Sequence, residues 1–254
     1  IPKPEARGAF AYDAAEDGVH IGNIRWEDDA QGPVKVYKKP APGRPYVIGA
    51  DTAGDGSDWF VGQVLDNVSG EQVAVLRHQY DEDTFSRQMY CLGKWYNDAM
   101  LAPEANFSTY PVKLLDLMGY RNLYVREIED TFDGTIRHAY GFRTDRLTRP
   151  VIISELIRVM REHLETVNDE DTLLEMLTFV RDEKQRAAAE PGAHDDCVMA
   201  LAIAHYVRPQ QTMEVKRTAA AGTAVWTQDM WDDFDRADPQ GRELLLKLWG
   251  TPRR

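Results

Sequence analysis

The sequence has few cysteines and no long apolar run, and each absence excludes a class of protein. Only two cysteines, Cys91 and Cys197, occur in 254 residues, and neither belongs to a C-x-x-C pair. A disulfide framework is therefore not expected, and both thiols are predicted to be buried and reduced. Because no apolar stretch approaches the ~18 residues of a membrane span, no membrane partner is expected.

Motifs of several common enzyme sites are also missing. The chain has no G-x-x-x-x-G-K-[ST] phosphate loop, so no ATPase site is expected in it. The glycines of GADTAGDG (49–56) do not form the G-x-G-x-x-G pattern, and neither an H-E-x-x-H zinc motif nor a G-x-S-x-G elbow occurs. The formal net charge of −12 argues against a generally basic nucleic-acid coat, but it is compatible with a local basic groove.

The chain divides into three segments of different character. Residues 1–45 are polar and rich in proline and glycine, and they are predicted to be a connector with at most one edge strand. Residues 46–208 alternate short apolar runs with amphipathic stretches and are predicted to be the core domain. Residues 209–254 are predicted to be a linker and a C-terminal tail, which either folds back on the core or docks on a partner.

The apolar pattern of the core predicts an α/β fold. Three short strands, at 46–51, 59–67 and 71–80, read as an antiparallel meander. Strands and helices then alternate, which predicts a central mixed sheet flanked by helices on both faces. The later predicted elements are a helix from about residue 83 to 99, a strand at 99–106, a helix ending at Gly119, a strand at 123–127, a helix starting near Pro150 and a buried helix at 194–207.

Four acidic residues lie at the ends of these predicted elements. Asp51 ends the first core strand, Glu104 ends the strand at 99–106, and Asp195 and Asp196 open the last helix. Carboxylates in such half-buried positions are costly unless they are paired or metal-bound, and Mg²⁺ prefers oxygen ligands. Two divalent ions ~4 Å apart can activate water and stabilise the leaving oxygen in phosphodiester hydrolysis. The set predicts a catalytic site that holds two Mg²⁺ or Mn²⁺ ions.

Each acid also has a structural interpretation when it is taken alone. Asp51 is compatible with a turn residue, Glu104 with a surface acid, and the aspartate pair with ordinary helix capping. Asp58 is either a further metal ligand or a loop residue, and Asp55 is predicted to face water. The sequence does not rank Asp195 against Asp196.

One segment, residues 136–149, concentrates basic residues beside aromatic ones. It predicts a loop that contacts DNA phosphates, with a solvated loop as the alternative. Lys184 and Arg186, shortly before the aspartate pair, extend the same predicted groove. The predicted DNA-binding residues are Arg137, Arg143, Arg146, Arg149 and Lys184.

Five stretches, taken in order, resemble the nuclease domain of tailed-bacteriophage terminase large subunits. They are YVIGADTAGDGSDWFVG, LAPEANF, GFRTDRLTRPVIISEL, LTFVRDE and GAHDDCVMALAIA, and they span roughly residues 45–207. The resemblance implies an RNase H-like fold and a metal-dependent endonuclease that cuts concatemeric double-stranded viral DNA during packaging. Matching the family motif residue by residue assigns metal binding to Asp51, Glu104, Asp195 or Asp196, and a further loop acid to Asp58.

The resemblance also implies partners. In that family the nuclease works with a terminase ATPase domain and a small subunit, and the C-terminal tail engages the portal or procapsid, all in the host bacterial cytoplasm. Two alternatives remain open at this point. One is a Holliday-junction resolvase or transposase-type nuclease on the same fold, and the other is a non-catalytic module that binds DNA or the portal.

Overall fold

A seven-stranded mixed sheet forms the centre of the protein. The computed structural model describes residues 1–52, 59–106, 108–129, 136–181 and 187–212, with a few tail positions between 223 and 252. In spatial order the strands run β2-β1-β3-β6-β5-β4-β7, and only β4 and β7 pair in parallel. The strands are β1 (Ala6–Ala14), β2 (Ile21–Asp28), β3 (Val34–Val36), β4 (Tyr46–Asp51), β5 (Phe60–Asp66), β6 (Gln72–His78) and β7 (Met100–Pro103).

Helices cover both faces of this sheet, which confirms the predicted α/β class. The helices are α1 (Glu82–Trp95), α2 (Tyr110–Leu117), α3 (Thr148–His163), α4 (Glu170–Leu177) and α5 (Asp196–Val207), with 3₁₀ turns at Leu164–Thr166 and Arg208–Thr212. Smaller pairs are β8 (Val125–Glu129) with β9 (Ile136–Tyr140), β10 (Phe179–Arg181) with β11 (Ala187–Ala189), and β12 (Thr223–Ala224) with β13 (Thr251–Pro252). None of the described helices is long and apolar enough to cross a membrane.

The strand β4 separates two hydrophobic cores because its side chains alternate between the two faces of the sheet. Ile48 and Ala50 pack in the core that includes residues of α1 and α2. Val47 packs in the core of α3 and α5. By the two-residue period of a strand, Gly49 and Asp51 share the face of Val47. The strand therefore directs its terminal acid toward α5.

Three strands lie where the sequence predicted a connector with at most one edge strand. The hairpin of β1 and β2 joins the sheet through β3, which pairs with both β1 and β6. Phe10 of β1 is buried, and its ring meets those of Trp26 and Trp95 edge-on at 5.3 and 5.6 Å. The connector prediction allowed one edge strand, where β3 lies, but missed β1 and β2 because it weighed proline and glycine content, whereas strand pairing and aromatic packing decide the structure. The domain boundary at residue 46 stays a prediction.

Two other segments differ from the sequence prediction in detail. Leu123 only bridges Leu101 of β7, and the chain then leaves the main sheet in the β8–β9 hairpin. The stretch TLLEMLTFVRDE (172–183), whose pattern is ambiguous between helix and strand, belongs to helix α4 up to Leu177 and then to β10 (Phe179–Arg181).

A buried histidine near the end of α5 leads to a prediction on pH-dependent stability. His205 is 4% exposed, neither ring nitrogen has a hydrogen-bond partner, and burial, aided by the charge of Arg208, lowers its pKa to about 3. The unfolded chain binds a proton near pH 6.5 and the folded chain does not, so stability falls as pH decreases from 6.5 toward 3. His205→Leu is expected to remove a loss of ~1.4 kcal/mol per pH unit in this window.

Urea unfolding at pH 7.0, 6.0 and 5.0 checks this expectation. The matched control is His163→Leu, because the side chain of His163 is 59% exposed and its replacement leaves the acid slope in place. Parallel stability curves for wild type and His205→Leu between pH 7.0 and 5.0 would contradict the prediction.

Candidate metal centre

Asp51 and Glu104 lie side by side because they follow two neighbouring parallel strands. Ala50 of β4 pairs with Pro103 of β7, and the backbone N–H of Glu104 donates to the carbonyl oxygen of Ala50 at 2.9 Å. Carboxyl ends of parallel strands meet at one sheet edge, so both side chains emerge there. Glu104 is 5% exposed, Asp51 is half-buried, and a side-chain hydrogen bond joins the two carboxyl groups.

The electrostatics of this pair are those of crowded, poorly hydrated acids. Burial is the largest cause that raises the pKa of Asp51 well above its ordinary value, followed by the charge of Glu104. The charges of Asp196 and Asp195 raise the pKa of Asp51 further. Two carboxyl groups in contact cannot both ionise without a counter-charge. The pair therefore shares a proton or requires a cation.

The other two acids reach the same edge because α5 packs very closely on β4. Gly49 makes this approach possible, since a Cβ atom there would lie 2.7 Å from the Cα of Ala204 and closer still to other helix backbone atoms. At the start of the helix, Asp196 accepts a hydrogen bond from the backbone N–H of Trp59 at 3.3 Å. The four predicted acids thus come from three elements and converge on one edge.

The donor set fits a hard divalent cation, although its members have other partners in this arrangement. Asp195 is paired with Arg149, whose Nη2 lies 2.7 Å from the carboxylate. Within the part of the chain that the structure describes, no three His, Cys, Asp or Glu side chains are already gathered as a binding cluster. The donors fit by their chemistry, because all are carboxylate oxygens, the ligands that Mg²⁺ and related ions prefer. Their partial burial and mutual repulsion also favour a bound cation.

Solved structures with the same arrangement of elements are nucleases of phage terminases. The large terminase nuclease from thermophilic phage G20c with bound magnesium is 22% identical and superposes with a TM-score of 0.55, covering 70% of this chain and 89% of that one. Its cobalt-bound form has a TM-score of 0.56. The large terminase nuclease domain of Thermus phage P74-26 is 24% identical with a TM-score of 0.50 over 69% of this chain and 86% of that one. No family model matches the sequence.

This chain has the RNase H-like fold of large terminase nucleases. The resemblance predicted from the ordered sequence motifs is thereby confirmed for the fold. At these identities the superposition shows the architecture alone, so the roles of individual residues rest on the geometry of the edge.

Three residues predicted for the site or its groove, Asp58, Lys184 and Arg186, lie outside the described part of the chain, and so does Asp55, which was predicted to face water. His194, which precedes the aspartate pair, is largely exposed, and its Nδ1 lies 3.6 Å from the carboxylate of Asp196. It is therefore a solvent-side neighbour of the site.

The predicted basic loop lies beside Glu104. Phe142 forms a bridge with Glu104, and the loop that follows exposes Arg143 and Arg146. Arg149, at the start of α3, is half-buried against Asp195 and also reaches the carbonyl oxygen of Ala187 at 3.3 Å. Arg137 is exposed on the β8–β9 hairpin instead of on this loop. The structure thus places three of the described arginines near the acids.

Sequence reasoning missed one residue that holds the loop and Glu104 together. The side-chain amide of Asn106 donates to Glu104 Oε1 at 2.9 Å and to the carbonyl oxygen of Thr144 at 2.7 Å, while its oxygen accepts from the N–H of Thr144 at 3.0 Å. The available signal was its position two residues after the strand-end glutamate. Asn106 orients the carboxylate of Glu104 and fixes the basic loop beside it.

Proposed function

We propose that this chain is a divalent-metal-dependent DNA endonuclease of a viral genome-packaging terminase. The observation that carries the proposal is the convergence of Asp51, Glu104, Asp195 and Asp196 on one edge of an RNase H-like sheet. Such a cluster is unfavourable without a cation, and the structurally similar G20c nuclease has structures with bound magnesium, cobalt and zinc. Asp195 is paired with Arg149, whereas Asp51 and Glu104 contact each other, and two buried acids in contact are costly without a counter-charge.

All the proposed metal ligands are acidic residues. Asp51, Glu104, Asp195 and Asp196 would hold two Mg²⁺ or Mn²⁺ ions, with Asp58 as a further ligand. Bound divalent ions supply activation of a water molecule and stabilisation of the leaving oxygen. In the reaction, the water oxygen forms a new bond to phosphorus, the bond from phosphorus to the 3′ oxygen breaks, and the 3′ oxygen acquires a proton. The products carry a 5′-phosphate and a 3′-hydroxyl.

Other residues of this chain position the substrate. Arg143 and Arg146 contact DNA phosphates next to the acids, and Arg137 and Lys184 extend that contact. Arg149, which pairs with Asp195 at 2.7 Å, contacts a DNA phosphate beside the same acid. Asn106 keeps the carboxylate of Glu104 turned toward Asp51.

The biological setting belongs to the same proposal. The substrate is concatemeric double-stranded DNA, and the working partners are a terminase ATPase domain and small subunit in the host bacterial cytoplasm. Residues 209–254 contact the portal or procapsid.

Cleavage of plasmid DNA tests the proposal. With Mn²⁺ or Mg²⁺, the full chain is expected to convert supercoiled plasmid to nicked and linear forms, and excess EDTA is expected to stop the reaction. Undiminished cleavage in EDTA, or no cleavage with any divalent ion, would contradict it. A strong preference for four-way junctions over linear duplex would instead favour the resolvase alternative.

A further inference from the structure

The N-terminus of α5 is capped in an unusual way. Asp195 occupies the N-cap position, yet its side chain makes no hydrogen bond to the first turn of its own helix. An aspartate at this position usually accepts the backbone N–H of the second or third helical residue. Here the carboxylate of Asp195 instead faces Arg149 at 2.7 Å. The helix must therefore satisfy its first N–H groups by other means.

Glu175 of α4 supplies the missing cap. Its Oε2 accepts the backbone N–H of Cys197 at 2.7 Å and lies 3.4 Å from the N–H of Val198. Cys197 and Val198 are the second and third residues of α5, the two donors that an N-cap aspartate would use. Glu175 is 8% exposed, and its negative charge at a helix N-terminus is favourable to the helix dipole.

Glu175 is also connected, through Arg77, to Trp59, the residue whose backbone N–H bonds Asp196. Its Oε1 lies 3.7 Å from Nη2 of Arg77, and the guanidinium of Arg77 stacks 4.0 Å above the ring of Trp59. The backbone N–H of Trp59 in turn donates to Asp196. Glu175 is thus linked to Asp196 through Arg77 and Trp59. It is also linked to both Asp195 and Asp196 through the first turn of α5, which it caps.

Helix α4, which carries Glu175, is itself firmly anchored. Asp169 caps α4 by accepting the N–H of Thr172 at 2.9 Å, and it is paired with Lys35 of β3 at 2.7 Å. Gln72 of β6 accepts the backbone N–H groups of Asn168 and Asp169 at 2.7 and 2.6 Å. Glu175 therefore reaches α5 from a support that is bonded to two strands of the central sheet.

We propose that Glu175 is a positioning residue that caps α5 in place of Asp195, so that the carboxylate of Asp195 turns away from its own helix and can serve as a metal ligand. The inference rests on the proposed metal-dependent function and adds to it a residue that touches neither metal nor DNA. Without Glu175, the N–H groups of Cys197 and Val198 lose their acceptor, and the adjacent Asp195 turns back to bond them.

Mn²⁺ affinity, measured by calorimetric titration of the full chain, tests the positioning role. Glu175→Ala is expected to weaken binding about 10- to 100-fold, the usual range for residues that orient metal ligands. Glu175→Gln keeps an acceptor oxygen in place and is expected to retain most of the affinity. Glu175→Asp keeps the charge but withdraws the carboxylate by ~1.5 Å, one C–C bond, and is expected to behave like alanine. Glu170→Ala, an exposed change on the same helix, is the control for nonspecific effects.

A double-mutant cycle separates this role from general destabilisation. In an Asp195→Asn background, Glu175→Ala is expected to change Mn²⁺ affinity less than about threefold, since the residue through which it acts is already altered. Multiplying losses would overturn the inference, as would wild-type affinity in a folded Glu175→Ala. Should Glu175→Ala fail to fold, Glu175→Asp decides, and wild-type affinity in that variant overturns the inference as well. If the wild-type chain neither binds Mn²⁺ nor cuts DNA, the proposed function and this inference fall together; if only the Glu175 variants behave as wild type, the inference alone falls.

Discussion

Asp51→Asn is expected to abolish metal-dependent DNA cleavage and, in the absence of divalent ions, to stabilise the fold. Without a cation, the crowded pair must share a proton, whereas asparagine is neutral without taking one up and can donate its amide to Glu104. The expected gain is about 1–3 kcal/mol, the usual penalty of a poorly compensated buried polar group. The expected loss of cleavage is on the order of 10²–10³-fold or more, because a group that acts on the reacting centre is removed.

Opposite effects on stability and activity distinguish a metal ligand from a structural acid. Thermal unfolding in EDTA is expected to show a higher Tm for Asp51→Asn than for wild type. Added Mn²⁺ is expected to raise the Tm of wild type by mass action and to leave that of the variant nearly unchanged. Asp28→Asn, at the exposed end of β2, controls for the chemical change and is expected to alter neither quantity. A variant that is less stable than wild type in EDTA would assign Asp51 to the fold instead of the site.

The edge of the sheet could be predicted from the sequence because its signals are local. The run from Tyr46 to Ala50 is entirely buried, as its apolar composition indicated, and Asp51 follows at its end. Glu104 stands in the same relation to β7. Two strand-end acids and a helix-start acid pair suffice to predict convergence, since parallel strand ends share one edge.

The partners of these acids could not be predicted, because each depends on a contact between distant segments. Arg149 pairs with Asp195, 46 positions along the chain, a contact that the expected role in phosphate binding did not include. Glu175 lies in an amphipathic helix whose pattern does not distinguish a buried capping acid from a solvated one. The strands β1 and β2 were missed for the same reason, since β2 pairs with β1 and β1 pairs with β3, contacts that their own composition does not reveal.

Gly49→Ala is expected to destabilise the protein by about 3 kcal/mol or more, the upper end for overpacking in a core. The added methyl group would point at α5, 2.7 Å from the Cα of Ala204 and closer still to the N of Ala204 and the carbonyl oxygen of Ala200. All three are backbone atoms, so no side-chain rotation relieves the clash and the helix itself must move. Backbone propensity alone predicts that Gly49→Ala stabilises the protein, because glycine inside a strand is less stable than alanine by ~0.5–1 kcal/mol.

Urea unfolding of Gly49→Ala beside Gly22→Ala checks this expectation with a matched control. Gly22 lies in β2, and a Cβ atom there would meet no atom within 4 Å, so its replacement is expected to be neutral or slightly stabilising. A Gly49→Ala variant within about 1 kcal/mol of wild type would contradict the overpacking argument, since ordinary surface changes stay inside ~0.5 kcal/mol.

Displacement of α5 would also carry Asp195 and Asp196 away from Asp51. Any folded Gly49→Ala protein is therefore expected to bind Mn²⁺ more weakly than wild type, which links the close approach of strand and helix to the site.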